Sequence, residues 1–427
     1  MRVGVLGGGL CGLVVAAYSR HDCEVLEAAE RPGGHCQSLV KDGYTFDVGG
    51  PHILFSRNEE ILNLILGELG DNINTQRRNS KVYYKGRFVK YPFENGLSDL
   101  EPEDRFNCLY HYLFNDYPAP TNFKEWIYHT FGKGIAETYL LPYNEKIWNV
   151  PAEQMSIDWV DGRVPRPPAA DVIKSAVGVE TEGYTHQLNF RYPLVGGIEA
   201  LPKAFAAKCR SITCDFPVRK VWREGKEWCV SDGTRVQRYD LLVSTIPLQY
   251  LLEALPDVPG HVLEAAGALR FNSLITVMLG SAGADLPFYS SLYLPEREYL
   301  FHRLSWPLAF TPNGAPAGSM GVTAEITTNP GDGVHEMSDD ELYAHCIPAL
   351  TRMGFINPDQ INFKAIHRTQ FAYVLRTFDY AERLKVALDY ITSLGIVSVG
   401  RNAEFEYINM DEAVRRSLET VKQIDAE

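Results

Sequence analysis

The chain has 427 residues, 45% apolar and 22% charged, which is ordinary globular composition with enough length for a sizeable core. Its net charge of −13 argues against nucleic acid or an anionic membrane as a bulk partner, but local arginines can still form a cationic pocket for an anionic substrate. The eight cysteines form no C-x-x-C pair and have no histidines at zinc spacing, so the expectation is reduced thiols in the cytosol and no metal site.

In chain order, residues 2–6 read as a short buried strand, 7–12 as a glycine-rich turn and 13–19 as the start of a helix. Residues 23–26 form a second strand ending at Glu27, giving the βαβ pattern of a parallel sheet. The run from Val3 to Ala17 is as apolar as a signal-peptide core, but Gly7, Gly8, Gly9 and Gly12 would break a helix there. No stretch reaches the roughly eighteen uninterrupted apolar residues of a membrane helix, so a soluble cytoplasmic protein is expected. Residues 44–48 predict a strand stopped by Gly49, Gly50 and Pro51, and 59–69 a helix. Residues 81–90 predict a hairpin turning at Lys85-Gly86. Residues 101–148 predict aromatic-rich helices broken by Pro118, Pro120 and Pro142, and the proline-rich stretch 165–170 a boundary or mobile segment. Strands at 218–222, 228–231 and 241–244, with Asp232-Gly233 turning between two of them, return the chain to the first sheet. Strands at 273–279, 291–294, 300–304 and 320–326 suggest an antiparallel sheet. A helix at 342–353, a strand at 396–399 and a closing helix at 411–424 complete the chain.

Gly7-x-Gly9-x-x-Gly12 is a weak signal alone and a strong one in this setting, after a strand, opening a helix, with Glu27 twenty positions beyond Gly7. The glycines allow a tight turn and let backbone N–H groups approach a pyrophosphate, and the helix N-terminus adds favourable partial charge. Glu27 can accept hydrogen bonds from an adenosine ribose.

Arg31-Pro32-Gly33-Gly34 resembles the second-strand signature of flavoproteins with two dinucleotide folds, which selects FAD over NAD, and Thr245-Ile246-Pro247 resembles a later strand end of that group. Gly400-Arg401 ends a strand, and Asn409-Met410-Asp411 opens a helix whose N-terminus could hold the flavin pyrimidine oxygens. The plainer reading of Arg401 is a surface salt bridge.

Residues 46–56, Phe46-Asp47-Val48-Gly49-Gly50-Pro51-His52-Ile53-Leu54-Phe55-Ser56, resemble a flavin-facing loop of the UDP-galactopyranose mutases. Tyr91-Pro92-Phe93-Glu94-Asn95 is similar to their Tyr-Pro-Phe-Gln-Asn segment, and 142–151 to the helix carrying their substrate-contacting Asn and Trp. Residues 159–165 resemble their mobile flap. Phe190-Arg191-Tyr192-Pro193, Tyr293 with Arg303, Gly400-Arg401 and 407–411 follow in the family's order. The resemblance implies an α/β fold, with a Rossmann-like FAD-binding domain (1–58, 190–250, 393–427). It also implies an inserted helical substrate and flap domain (98–170) and a mainly antiparallel sheet substrate domain (59–97, 251–392).

That family interconverts pyranose and furanose forms of a UDP-sugar, galactose or a relative, through a reduced-flavin N5–sugar adduct. The resemblance then implies FAD, active when reduced, a nucleotide-sugar substrate and an external reductant such as NAD(P)H or a reductase; it leaves a homo-oligomer open. His52, Arg163 and Arg303 become the catalytic candidates: His52 against the flavin, the arginines on the leaving diphosphate. The flap arginine can fall instead on Arg166. Substrate contacts fall on Tyr91, Asn144, Trp148, Tyr293, Tyr373 and Tyr407. Cofactor contacts fall on Gly7, Gly9, Gly12, Glu27, Arg31 and Gly34 in the first motif, and on Gly50, Val218, Arg401, Met410 and Asp411 beyond it. Glu94 departs from the family's Gln and would be awkward beside a diphosphate or a uracil carbonyl. Two other readings stand beside the mutase: a two-electron oxidase resembling the amine oxidase and protoporphyrinogen oxidase branch, and a flavin-binding scaffold without turnover.

Overall fold

Val3, Val5 and Leu6 carry no exposed surface because their strand, Arg2–Leu6, lies in the middle of a parallel sheet covered on both faces. This computed structural model describes residues 1–161, 163–164, 166–182, 188–283 and 288–426. Across the sheet the strands run Ile396–Ser398, Leu241–Ser244, Arg2–Leu6, Asp22–Leu26 and Ser211–Thr213, all parallel. The chain leaves Arg2–Leu6 toward one side and later returns on the other. The carboxyl ends of Arg2–Leu6 and Leu241–Ser244 therefore open a crevice at the topological switch point, where ligands of such sheets bind.

The helix after the first strand is Leu10–Tyr18, starting earlier than residue 13 because Gly9 already accepts from the Leu13 N–H at 3.1 Å. The glycine turn and the helix N-terminus are thus one structure. This helix packs on the closing helix Met410–Ile424.

A second, seven-stranded sheet forms the other wall of the crevice. Its order is Ile361–Val374, Phe271–Ala282, Ser319–Thr328, Arg303–Ser305, Ser291–Tyr293, Ser80–Tyr84 and Arg87–Lys90. It is antiparallel except where Ser291–Tyr293 meets Ser80–Tyr84 in parallel, so the sheet is mixed. The strand Ile361–Val374 was not among the expected elements; its first ten residues alternate weakly, with Asn362, Lys364, Arg368 and Gln370 exposed. The hairpin at Lys85-Gly86 forms as expected, both residues at positive φ (48° and 77°).

Only Leu241–Ser244 of the three strands expected at 218–244 joins the first sheet. Lys220–Glu224 and Glu227–Ser231 pair with an additional strand, Val236–Tyr239, in a separate antiparallel sheet. Only Tyr239 of that extra strand is buried, which leaves no apolar alternation to read. The helical unit contains Pro102–Leu113, Phe123–Ile135 and Leu141–Trp148 around a core that includes Phe123, Phe131 and Trp148. Pro142 does not break a helix: the π-helical turn Ala136–Leu140 runs directly into Leu141–Trp148 with helical backbone at Leu140 and Leu141, and the proline is accommodated at that junction. Among the described residues no helix is long and apolar enough to cross a membrane, and no group of His, Cys, Asp and Glu could hold a metal.

Candidate active site

The glycine turn is held from both sides. Gly7 has φ of +101°, and a Cβ there would lie 2.6 Å from Thr245 Oγ1, which itself donates to the Leu6 and Gly7 carbonyls at 2.9 and 3.1 Å. The Gly8 N–H donates to Glu27 Oε2 at 2.7 Å, and the Gly33 N–H to the Gly8 carbonyl at 2.8 Å. A Cβ on Gly9 would meet nothing within 4 Å. The turn thus offers an open cradle of backbone donors beside a carboxylate, which fits a dinucleotide pyrophosphate and its ribose. Gly12 serves packing: a Cβ there would sit 2.1 Å from the Gly7 carbonyl oxygen.

The cradle is one end of a cavity of about 1120 Å³. Gly7, Gly9, Glu27 and Gly34 line it, as does Val218 beside Phe216 and Pro217; further along, Met410 and Arg401 line it too. Four expected cofactor contacts are not on this wall. Gly12 packs as described. Arg31 turns away to pair with Glu199 and reach the Ser38 carbonyl at 3.3 Å, so it braces the loop that carries Gly33 and Gly34. Gly50, at φ +78°, backs onto Glu325, whose Oε2 would lie 2.5 Å from a Cβ. Asp411 accepts from Ser56 Oγ at 2.7 Å.

Three histidines stand on the middle wall. His52 donates from Nδ1 to the Gly50 carbonyl at 2.8 Å, leaving Nε2 without a proton. Burial pushes its pKa down to about 4, with Arg401 and Arg303 adding to the effect. His35 accepts from Asn402 Nδ2 at 3.1 Å and is pushed down to about 3 by burial and Arg401. Burial also lowers His367. At neutral pH this wall is uncharged at its imidazoles and charged at its guanidinium groups. His35 and His367 were not singled out from sequence.

The arginines form an arc alternating with tyrosines. Arg163 lies over the Tyr407 ring (4.6 Å to the centroid) and donates to the Tyr407 carbonyl. Arg401 lies over Tyr407 (4.3 Å) and Tyr373 (5.7 Å) and donates to the Ala372 carbonyl. Tyr373 adjoins Arg303. Arg303 is opposite Tyr293 in strand register, and Tyr293 accepts from Arg78 Nη2 at 3.4 Å. Arg78 in turn lies over Tyr91 (5.9 Å). Arg163, Arg401, Arg303 and Arg78 all line the cavity, with Tyr407, Tyr373 and Tyr91 between and beside them. Burial alone would weaken Arg303, but the Glu325 carboxylate outweighs it and holds the guanidinium firmly protonated.

Four expected substrate residues are not brought to the wall. Asn144 donates to the Leu140 carbonyl at 2.8 Å and accepts from Trp148 Nε1 at 3.3 Å, so both polar groups are used inside their helix. Trp148 is buried behind Tyr373 and Tyr407 (centroids 6.1 and 6.0 Å). Tyr293 stands behind Tyr91 (4.7 Å). Arg166 pairs with Asp161 and lies over Trp126, so of these two arginines it is Arg163 that lines the cavity. Gly162 and Pro165 of the flap segment lie outside the described residues. Glu94 is off the cavity wall as well, buried, its carboxyl pushed up to about 7 by burial.

Sequence reading missed Arg78 and Glu325. Nothing in Gln76-Arg77-Arg78 marks the second arginine. Glu325 did leave a signal: a carboxylate inside Thr323-Ala324-Glu325-Ile326, a strand otherwise fit for the core, where charges are rare unless paired.

Residues 10–393 match the family described as flavin containing amine oxidoreductase. A zeta-carotene-forming phytoene desaturase from Myxococcus xanthus is 33% identical over 92 residues, covering 20% of this chain and 18% of that protein. Among solved structures, reduced UDP-galactopyranose mutase is similar with a TM-score of 0.89 at 24% identity, over 99% of this chain and 93% of the other. A protein assigned provisionally as a protoporphyrinogen oxidase, from Exiguobacterium sp. 255-15, gives 0.77 at 18%, over 100% and 98%. An engineered putrescine oxidase gives 0.66 at 15%, over 100% and 99%. At these identities the solved structures establish a shared fold.

Proposed function

The chain belongs to the flavin containing amine oxidoreductase family, and from that premise we propose that it binds FAD and interconverts the pyranose and furanose forms of a UDP-sugar, galactose or a relative. The observation that carries this reading is the arc of guanidinium and phenol groups on the same cavity wall as His52. An oxidase of amines has no evident use for such an arc, because its substrate is itself a cation. A nucleoside diphosphate needs fixed cations, and guanidinium forks match its oxygens.

FAD in its reduced form, when bound, supplies a nucleophilic N5 for the anomeric carbon of the sugar. Gly9 and Glu27 would hold its adenosine and pyrophosphate end. Arg401 and the N-terminus of Met410–Ile424 line the same cavity and would supply positive potential to the flavin. Arg163 and Arg303 hold the UDP diphosphate as its bond to the sugar breaks, and keep it close for the return step. The bare Nε2 of His52, on the same cavity wall, would be an acceptor for a proton from the bound groups.

The test is to incubate the dithionite-reduced holoprotein anaerobically with UDP-galactofuranose and other UDP-furanoses and to separate the products. Turnover only in the reduced state supports the reading. Oxygen consumption with an amine and no ring isomerisation overturns it in favour of an oxidase.

A further inference from the structure

Resting on that reading, we infer that Arg78 is the specificity-determining cation for the nucleoside side of the substrate, while Arg163 and Arg303 serve the sugar side. The inference follows from order along the arc. A sugar that reacts at the flavin must lie by His52 and Arg401, so the phosphate attached to it comes next and the nucleoside lies furthest out.

The arginines fall in a matching sequence. Arg401 and Arg303 line the cavity with His52 and both act on its charge. Arg401 shares Tyr407 with Arg163 and adjoins Arg303 through Tyr373. Arg78 joins only beyond Arg303, across Tyr293. It lines the cavity with its guanidinium over the Tyr91 ring. It is steadied by Ser80 Oγ at 3.2 Å on its Nε and by the Tyr293 hydroxyl on its Nη2. A guanidinium beside an aromatic face can add a phosphate oxygen to the partners it already has while the ring flanks the nucleoside.

Partial substrates separate this role from a general electrostatic one. UMP and UDP contain the nucleoside-side phosphate, and galactose 1-phosphate contains only the sugar-side one. Holoprotein is titrated with each, following flavin fluorescence and calorimetry. Arg78→Ala should weaken UMP and UDP by about tenfold or more, the range of a lost charge-assisted hydrogen bond. Galactose 1-phosphate should bind as it does to the unaltered protein, and Arg78→Lys should recover part of the loss. Equal weakening of all three ligands, no weakening of any, or loss of flavin from both variants overturns the inference. If the unaltered holoprotein binds none of the three, the mutase reading itself fails, a result distinct from the variant outcomes.

Discussion

Arg303 Nε and Nη2 each donate to one oxygen of Glu325 at 2.6 Å, and the Glu325 side chain has no exposed surface. The pair is neighbours by register: Arg303 and Glu325 are opposite each other on adjacent antiparallel strands. The carboxylate fixes the fork and leaves the remaining guanidinium edge to the cavity. Arg303→Ala would therefore do two things, removing a clamp cation and leaving a carboxylate buried without its counter-charge. The expected cost in stability is about 3–5 kcal/mol by urea unfolding, alongside loss of turnover. Arg303→Met combined with Glu325→Gln should recover most of the stability and none of the turnover. A single Arg303→Ala variant as stable as the unaltered protein would contradict this account of the pair.

Arg163 and Arg166 are three residues apart with opposite surroundings. Arg163 is on the cavity against Tyr407, and Arg166 is at the surface, paired with an Asp161 side chain that is 83% exposed. Arg163→Ala should lower turnover by about 100-fold, typical of losing one preorganised group that stabilises developing charge. Arg166→Ala should change stability by less than about 0.5 kcal/mol and leave turnover near normal. Steady-state kinetics of both variants decides it; the reverse ranking would move the flap arginine to 166.

Glu94 gives a pH signature. Burial holds its carboxyl at about 7, against an ordinary value of 4.5. Between those values the folded state binds more protons than the unfolded one, so this group's contribution to stability falls as pH rises through that window and is level above it. Glu94→Gln removes the penalty. Its stabilising effect should be small near pH 4.5 and grow to about 3 kcal/mol by pH 8. Unfolding curves at the two pH values check this, and a gain that does not depend on pH would rule it out.

His52 has the opposite sign. Its pKa is depressed to about 4 from 6.5, so below 6.5 the unfolded state takes up a proton that the folded state refuses. Stability from this group is fully present above 6.5 and is lost as pH falls toward 4, by up to about 1.4 kcal/mol per pH unit. His52→Gln should flatten the acid limb of the stability profile by that amount. An unchanged slope in the variant would mean the imidazole is not held neutral.

The dinucleotide end of the site is legible because its determinants are local: a strand, three glycines, a helix start and Glu27 lie within 26 residues of the first strand residue. The rest depends on register between distant segments. Tyr293, Arg303, Glu325, Thr276 and His367 stand in one row across the second sheet, and no local pattern places them side by side. A motif also gives residue type without direction. Asn144 and Trp148 satisfy each other within one helical turn, so the helix matches the expectation while its side chains miss the wall. The extra strand Val236–Tyr239 escaped notice for a third reason: its exposed Val236 and Arg238 leave only Tyr239 to mark an inward face.

Gly9 and Gly12 separate binding from folding inside one motif. Gly9 has φ of −72°, which any residue can adopt, and open space where a Cβ would go. Gly9→Ala should fold normally as apoprotein, within about 0.5 kcal/mol. Its methyl group would stand where the backbone must approach a pyrophosphate, so retention of flavin absorbance after gel filtration should fall sharply. Gly12→Ala should do the reverse in order of cause. Its Cβ would collide with the Gly7 carbonyl oxygen at 2.1 Å and crowd Val5 and Thr245 at 3.2 Å, prising the helix from the first strand. That overpacking should cost about 3 kcal/mol or more in the apoprotein, before any cofactor is offered. Thermal unfolding of both apoproteins, followed by flavin titration, distinguishes them. If Gly9→Ala keeps its flavin with undiminished affinity, the pyrophosphate does not lie in this cradle.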